Sequence, residues 1–327
     1  MRYNKRWKLT VGAFMTVVIC TCAGCGKEED SQPAEQRNEQ EKEAADLPEV
    51  SETEMQMKTD AKLPEETEPA EPENGEEETL NERETSGLEG ITVSIHGDSI
   101  STFENWIPYG YNNFYPMSGE VNDINDTWWI RMFDNTGMKL CANASSAGCT
   151  CAGDSTDAED PQVGCDDFRI TDLSDKNGTY PDIIVVFMGT NDLLTNVMLG
   201  DNDGTSAVEE GFIDNFSDAY SLMLDKLENY YPCTDIYCCT LLQVGDYGTD
   251  TPYVAFTNEQ GLTAEDYTNR IRTIAQNKGY SVVDLYHCGI EIDNLQNMTS
   301  DGVHPNAEGM WYIAEAVTDT IMSQYSR

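Results

Sequence analysis

Five short apolar runs, each separated from the next by a helix-patterned stretch, constrain this chain more than any other feature. Ile91 to His96 stops at Gly97 and Asp182 to Met188 stops at Gly189, while Lys139 to Asn143, Thr234 to Leu242 and Ser281 to Leu285 complete the set. Runs that are apolar throughout, rather than alternating, belong to strands covered on both faces. Between them, apolar residues recur at helical spacing over Asp126 to Asn135, Ala207 to Tyr230, Thr263 to Lys278 and Asn306 to Tyr325, with Thr263 and Asp266 spaced as a capping-box variant. Buried strands alternating with helices predict an α/β fold, a five-stranded parallel sheet between two helical layers. In such a sheet ligands bind beyond the carboxyl ends of the strands, near a switch in strand order.

That pattern begins only at residue 91, and the chain before it has a different composition. Residues 1–25 carry Arg2, Lys5, Arg6 and Lys8, then an apolar run from Leu9 to Cys22, then small residues before Cys25. This is the order of an export signal. The uncharged stretch from Leu9 to Gly26 barely reaches the length of a membrane span, roughly 17 residues, and contains three threonines and two glycines before Cys25, so cleavage is the expectation over an uncleaved anchor. Cys22-Ala23-Gly24-Cys25-Gly26 resembles a bacterial lipobox, which implies lipidation at Cys25 and attachment at the extracellular face of the cytoplasmic membrane.

Residues 26–90 hold 23 acidic against 6 basic residues and no Trp, Tyr or Phe, so no core can form there. A self-repelling, disordered acidic tether is expected. Residues 91–327 contain all three histidines and nearly all the aromatic residues, one domain's worth of core. Their own acidic excess, 37 against 9, disfavours nucleic acid as a partner. Eight cysteines fall in this domain. Cys238 and Cys239, inside an apolar run, read as buried thiols, whereas Cys149, Cys151 and Cys165 form the better disulfide candidate, with connectivity open. No Cys-x-x-Cys or His-x-x-x-His spacing accompanies them, so zinc is not expected.

Four polar segments follow the apolar runs or close the last loop: Gly97-Asp98-Ser99-Ile100, Asn143 to Gly148, Gly189-Thr190-Asn191-Asp192, and Asp301-Gly302-Val303-His304-Pro305. Alone, Gly-Asp-Ser is a common turn and Asn191 a common turn residue. Together they provide a serine, an aspartate three residues before a histidine, and hydrogen-bond donors for a developing oxyanion, the groups that acyl transfer through a serine requires. His96, at a strand end, reads as a core or supporting group. His287 is read as lacking a Ser or Asp placed as Asp301 is.

These four blocks resemble the SGNH or GDSL hydrolase family. The resemblance implies Ser99 as nucleophile, His304 as base, Asp301 as its orienting acid, and Ser99, Gly148 and Asn191 as the oxyanion hole. It also implies a flavodoxin-like three-layer sandwich over residues 91–327. Ile100 replaces the usual leucine, and Cys149-Thr150-Cys151 after Gly148 is unusual for the family. No metal or organic cofactor and no obligate protein partner are implied. The expected substrate is a small-molecule or glycan ester, first an O-acetylated carbohydrate outside the cell. A lipid or lysophospholipid ester is the alternative, and a non-catalytic carbohydrate-binding protein is a reading from another class. The aromatic segment from Phe103 to Tyr115 is expected either to pack as a lid or to wall the substrate.

Overall fold

The computed structural model describes residues 87–325 except 119, 158–160 and 247–251. The expected export signal, its Cys25 and the acidic segment up to residue 86 lie outside the described residues. Among the described residues no helix is long and apolar enough to cross a membrane.

In chain order the elements are β1 (Thr92–Gly97), α1 (Trp128–Thr136), β2 (Lys139–Asn143), β3 (Gly153–Asp154), α2 (Asp167–Thr171), β4 (Ile183–Phe187), α3 (Thr190–Leu194), β5 (Phe212–Ile213), α4 (Phe216–Tyr230), β6 (Asp235–Cys239), α5 (Ala264–Lys278), β7 (Ser281–Val283), α6 (Leu295–Met298) and α7 (Ala307–Gln324). The main sheet has five parallel strands in the order β2-β1-β4-β6-β7, the doubly wound flavodoxin-like order. β3 and β5 form a separate antiparallel pair.

β4 explains why the runs are apolar throughout. All five of its residues are buried, and they alternate between two cores. Ile183, Val185 and Phe187 join Trp128, Met132, Ile313 and Val317 of α1 and α7, whereas Ile184 and Val186 join Phe216, Met223, Ile271 and Ile274 of α4 and α5. A strand sandwiched in this way has no face on which a charge would be solvated. Each fully buried aliphatic side chain contributes about 1.5–3 kcal/mol.

The five predicted strands all appear, and three of the four predicted helices begin and end within two residues of expectation. α4 is the exception. It begins at Phe216 because the Asn215 side chain accepts from Asp218 N at 3.0 Å and caps the helix there. The residues expected to extend it instead include β5. At α5 the expected cap is present, with the Asp266 carboxylate accepting from Thr263 N at 2.8 Å and from its hydroxyl at 3.1 Å.

All eight described cysteines are free thiols, so no disulfide joins Cys149, Cys151 and Cys165. All three are fully buried in the α4/α5-side core with Val163 and Met188. Burial pushes each thiol up, Cys165 to about 12, so the thiolate that would start disulfide exchange is suppressed.

Candidate active site

The strand order switches between β1 and β4, and two of the polar segments leave the sheet at that point. β1 ends at Gly97, where an added Cβ would come within 2.8 Å of Ser101 Oγ and Ser145 Oγ, so only glycine lets the chain turn here. Asp98 follows, fully buried, and its Oδ1 accepts from Ile100 N at 3.0 Å. This caps a single 3₁₀ turn, Ser99–Ser101, which presents Ser99 at its first position. Burial pushes Asp98 up to about 6.

The histidine comes from the loop before α7. Asp301 Oδ1 accepts from Val303 N at 3.0 Å and His304 N at 2.8 Å, which folds the loop back on itself. Its Oδ2 lies 2.7 Å from His304 Nδ1. With a carboxylate at Nδ1 the proton belongs on that nitrogen, leaving Nε2 to accept. Nε2 lies 2.9 Å from Ser99 Oγ. Burial raises the Asp301 carboxyl, but the bond to His304, its charge and the two backbone donors outweigh this and hold it below the usual range. Ser99, His304 and Asp301 therefore form one hydrogen-bonded run, able to move the serine proton onto an imidazole already paired with an anion.

A cavity of about 400 Å³ opens beside this run, lined by Ser99, His304, Gly148 and Asn191 together with Phe114, Ala147, Leu194, Phe256 and Val303. Gly148 has φ +81°, a conformation that glycine adopts without strain. Asn191 lies in the first turn of α3, behind Gly189 at φ +119°. Its side-chain Nδ2 is buried and meets no acceptor among the described residues. A buried amide donor at a cavity wall is poised for an oxygen supplied by a ligand. The structure thus brings together Ser99, Gly148, Asn191, Asp301 and His304, while Cys25 lies outside the described residues.

Several supporting residues were not read from the sequence. Asp192, fully buried, accepts from Cys151 N at 2.8 Å and Ala152 N at 3.1 Å, so it and not a disulfide ties down the segment after Gly148. Burial pushes its carboxyl up to about 7. Arg169, also fully buried, donates to Gly97 O at 3.0 Å and Pro161 O at 2.8 Å. Asn143 joins the first two blocks, donating to Ser101 O at 2.9 Å and accepting from Ser145 N at 3.1 Å. Of these, Asn143 alone had a local signal, as the polar end of an apolar run.

His96 is buried beneath the site, with Nε2 2.9 Å from Gly164 O. Burial, with the Arg169 charge, lowers it to about 3, which keeps it neutral. The reading of His287 needs correction. Asp284 stands three residues before it, and the two side chains pair at 3.0 Å through Nδ1. Among the described residues no serine is hydrogen-bonded to His287.

The aromatic segment divides between its two expected roles. Phe103, Tyr111 and Tyr115 are buried in the cores, Trp106 packs on Trp129, and Tyr109 is exposed. Phe114 alone of this segment lines the cavity.

Residues 91–251 match the family model for GDSL-like lipase/acylhydrolase. No curated protein matches the chain. Among solved structures, a GDSL-like lipase from Bacteroides ovatus is 23% identical, covering 72% of this chain and 99% of its own, with a TM-score of 0.52. A second GDSL-like lipase, from Bacteroides uniformis, is 24% identical over 72% of this chain and 96% of its own, at 0.50. A protein from Lactobacillus plantarum is 17% identical over 73% of this chain and all of its own, at 0.54. At these identities the structural likeness speaks to the fold.

Proposed function

Residues 91–251 belong to the GDSL-like lipase/acylhydrolase family and the chain is a serine ester hydrolase; from that premise we propose that Ser99 is its nucleophile and that hydrolysis runs through an acyl-enzyme. The Ser99–His304–Asp301 run is the observation that carries this reading. His304 takes the Ser99 proton as Oγ attacks the ester carbonyl. The negative charge that develops on the carbonyl oxygen is met by the Asn191 amide and the N–H groups of Ser99 and Gly148. His304 then passes the proton to the departing alkoxide. In the second half it deprotonates a water, which attacks the acyl carbonyl, and as the bond to Ser99 Oγ breaks His304 returns that proton to the serine and the acid leaves.

The substrate we propose first is an O-acetylated carbohydrate outside the cell, reached by an enzyme lipidated at Cys25 and carried on the acidic segment 26–90. The export signal and the composition of that segment support this location. A second reading, a longer acyl ester such as a lipid, is favoured by the cavity itself, where Phe114, Leu194, Phe256 and Val303 offer apolar walls.

Nitrophenyl esters from acetate to octanoate, assayed beside acetylated xylan, test both readings. Wild type is expected to turn over at least one ester, and Ser99→Ala to lose about 10³-fold or more in kcat. Equal rates for the two proteins would sink the nucleophile assignment. A rate rising steadily with acyl length would favour the second substrate reading over the first.

A further inference from the structure

Phe114 lies where a substrate wall would lie, but its ring rests on the imidazole of His304. Its ring stacks on the His304 imidazole with centroids 3.6 Å apart and planes within 14°. Both ends of this contact are fixed by the chain. Phe114 N donates to Thr102 Oγ1 at 3.0 Å, and that hydroxyl donates to Ser99 O at 2.9 Å, so the ring is tied to the nucleophile turn. The next residue, Tyr115, is fully buried and donates its phenol hydrogen to Pro305 O at 2.7 Å, which ties the same segment to the residue after His304. Tyr115 also packs edge-on against Phe114, 4.8 Å between centroids. The segment therefore bridges the two halves of the site, although its sequence lies beside only one of them.

The face of a phenyl ring carries negative electrostatic potential and attracts a cation stacked on it. His304 becomes that cation when it takes the Ser99 proton. We propose that Phe114 is a positioning residue for His304, holding the imidazole plane in line with Ser99 and favouring its protonated form during acyl transfer. This rests on the assignment of His304 as base. Among the described residues, the charged or titratable groups facing the imidazole are Asp301 on its own loop and Asp98 on the nucleophile turn, with the Tyr115 phenol facing both carboxylates. Both carboxylates favour the same protonated form, so the ring acts beside them and its removal is measured with them in place.

The test uses the intact protein and reads His304 directly. With only three histidines in the chain, NMR titration of the imidazole resonances, assigned with His304→Asn, gives its midpoint without any substrate. Phe114→Leu is expected to lower that midpoint by about half to one pH unit, the size of a partly desolvated cation–ring contact. Phe114→Trp, which keeps an aromatic face, is expected to restore most of it. In turnover, Phe114→Leu is expected to lower kcat by about tenfold with a smaller change in KM, and to shift the acid limb of kcat/KM to lower pH.

An unmoved midpoint in a Phe114→Leu protein that melts as wild type does would overturn the proposal. So would a change confined to KM, which marks Phe114 as a pocket wall only. If wild type hydrolyses no ester yet the midpoint shifts as expected, the contact stands and the reaction assignment falls.

Discussion

The chain contains two aspartate–histidine pairs with identical spacing, Asp301 with His304 and Asp284 with His287, and in both the carboxylate bonds Nδ1. They differ in everything around that bond. The His304 side chain is 13% exposed, faces Ser99 through Nε2 and has Phe114 across its ring, while His287 is 62% exposed and only edge-on to Tyr286. Asp301 gives its remaining oxygen to two backbone N–H groups of its own loop, whereas Asp284 shares its own with Arg272 at 2.6 Å. Spacing alone therefore makes the pair. The strand order then decides which pair meets a serine.

The histidines give the sharpest separation. His304→Asn is expected to lower kcat about 10³-fold or more, and His287→Asn to leave it within about twofold of wild type, in the same nitrophenyl ester assay. A large loss in the second variant would erase the distinction.

The aspartates come next. Asp301→Asn, which disturbs the imidazole tautomer, is expected to cost about 10²- to 10⁴-fold in kcat/KM, while Asp284→Asn costs none. The stability that Asp301 contributes has a definite sign. Its folded pKa lies below 3.8, so the contribution is full above about pH 4 and lost as pH falls through the depressed value. Denaturant melts of wild type and Asp301→Asn should therefore differ near neutrality and converge in acid.

The smallest effect is expected at the exposed pair. Arg272→Met removes the contact to Asp284 and should lower stability by about 0.2–1 kcal/mol with kcat unchanged, read from urea melts and turnover together. A loss several times larger would mean that the exposed pair also supports the sheet edge at β7.

The same contrast marks what the sequence could reveal. Strands such as β4, apolar over its whole length because it meets a core on each face, were legible from periodicity alone, and so was the order of the four polar blocks. Contacts made across the fold were not. Asp192 reads as a residue of an ordinary turn, since its partners Cys151 and Ala152 lie 40 or more residues away and are backbone groups with no side-chain signature. Phe114 sits among six aromatic residues of similar spacing, and nothing local distinguishes the one that reaches His304. The cysteines misled for a related reason. Spacing showed that Cys149, Cys151 and Cys165 could come close, but their oxidation state follows from a core that buries them as thiols while a carboxylate orders the loop.

Ser99 and His304 are separated by 205 residues, and the intervening chain supplies every other strand of the main sheet. During synthesis the Ser99 turn emerges early and lacks its His304 partner until the last loop docks. Under the proposed mechanism ester turnover can thus serve as an all-or-none reporter of completed folding, since partial domains that keep β1 through β7 but end before His304 would carry Ser99 without the base proposed for it.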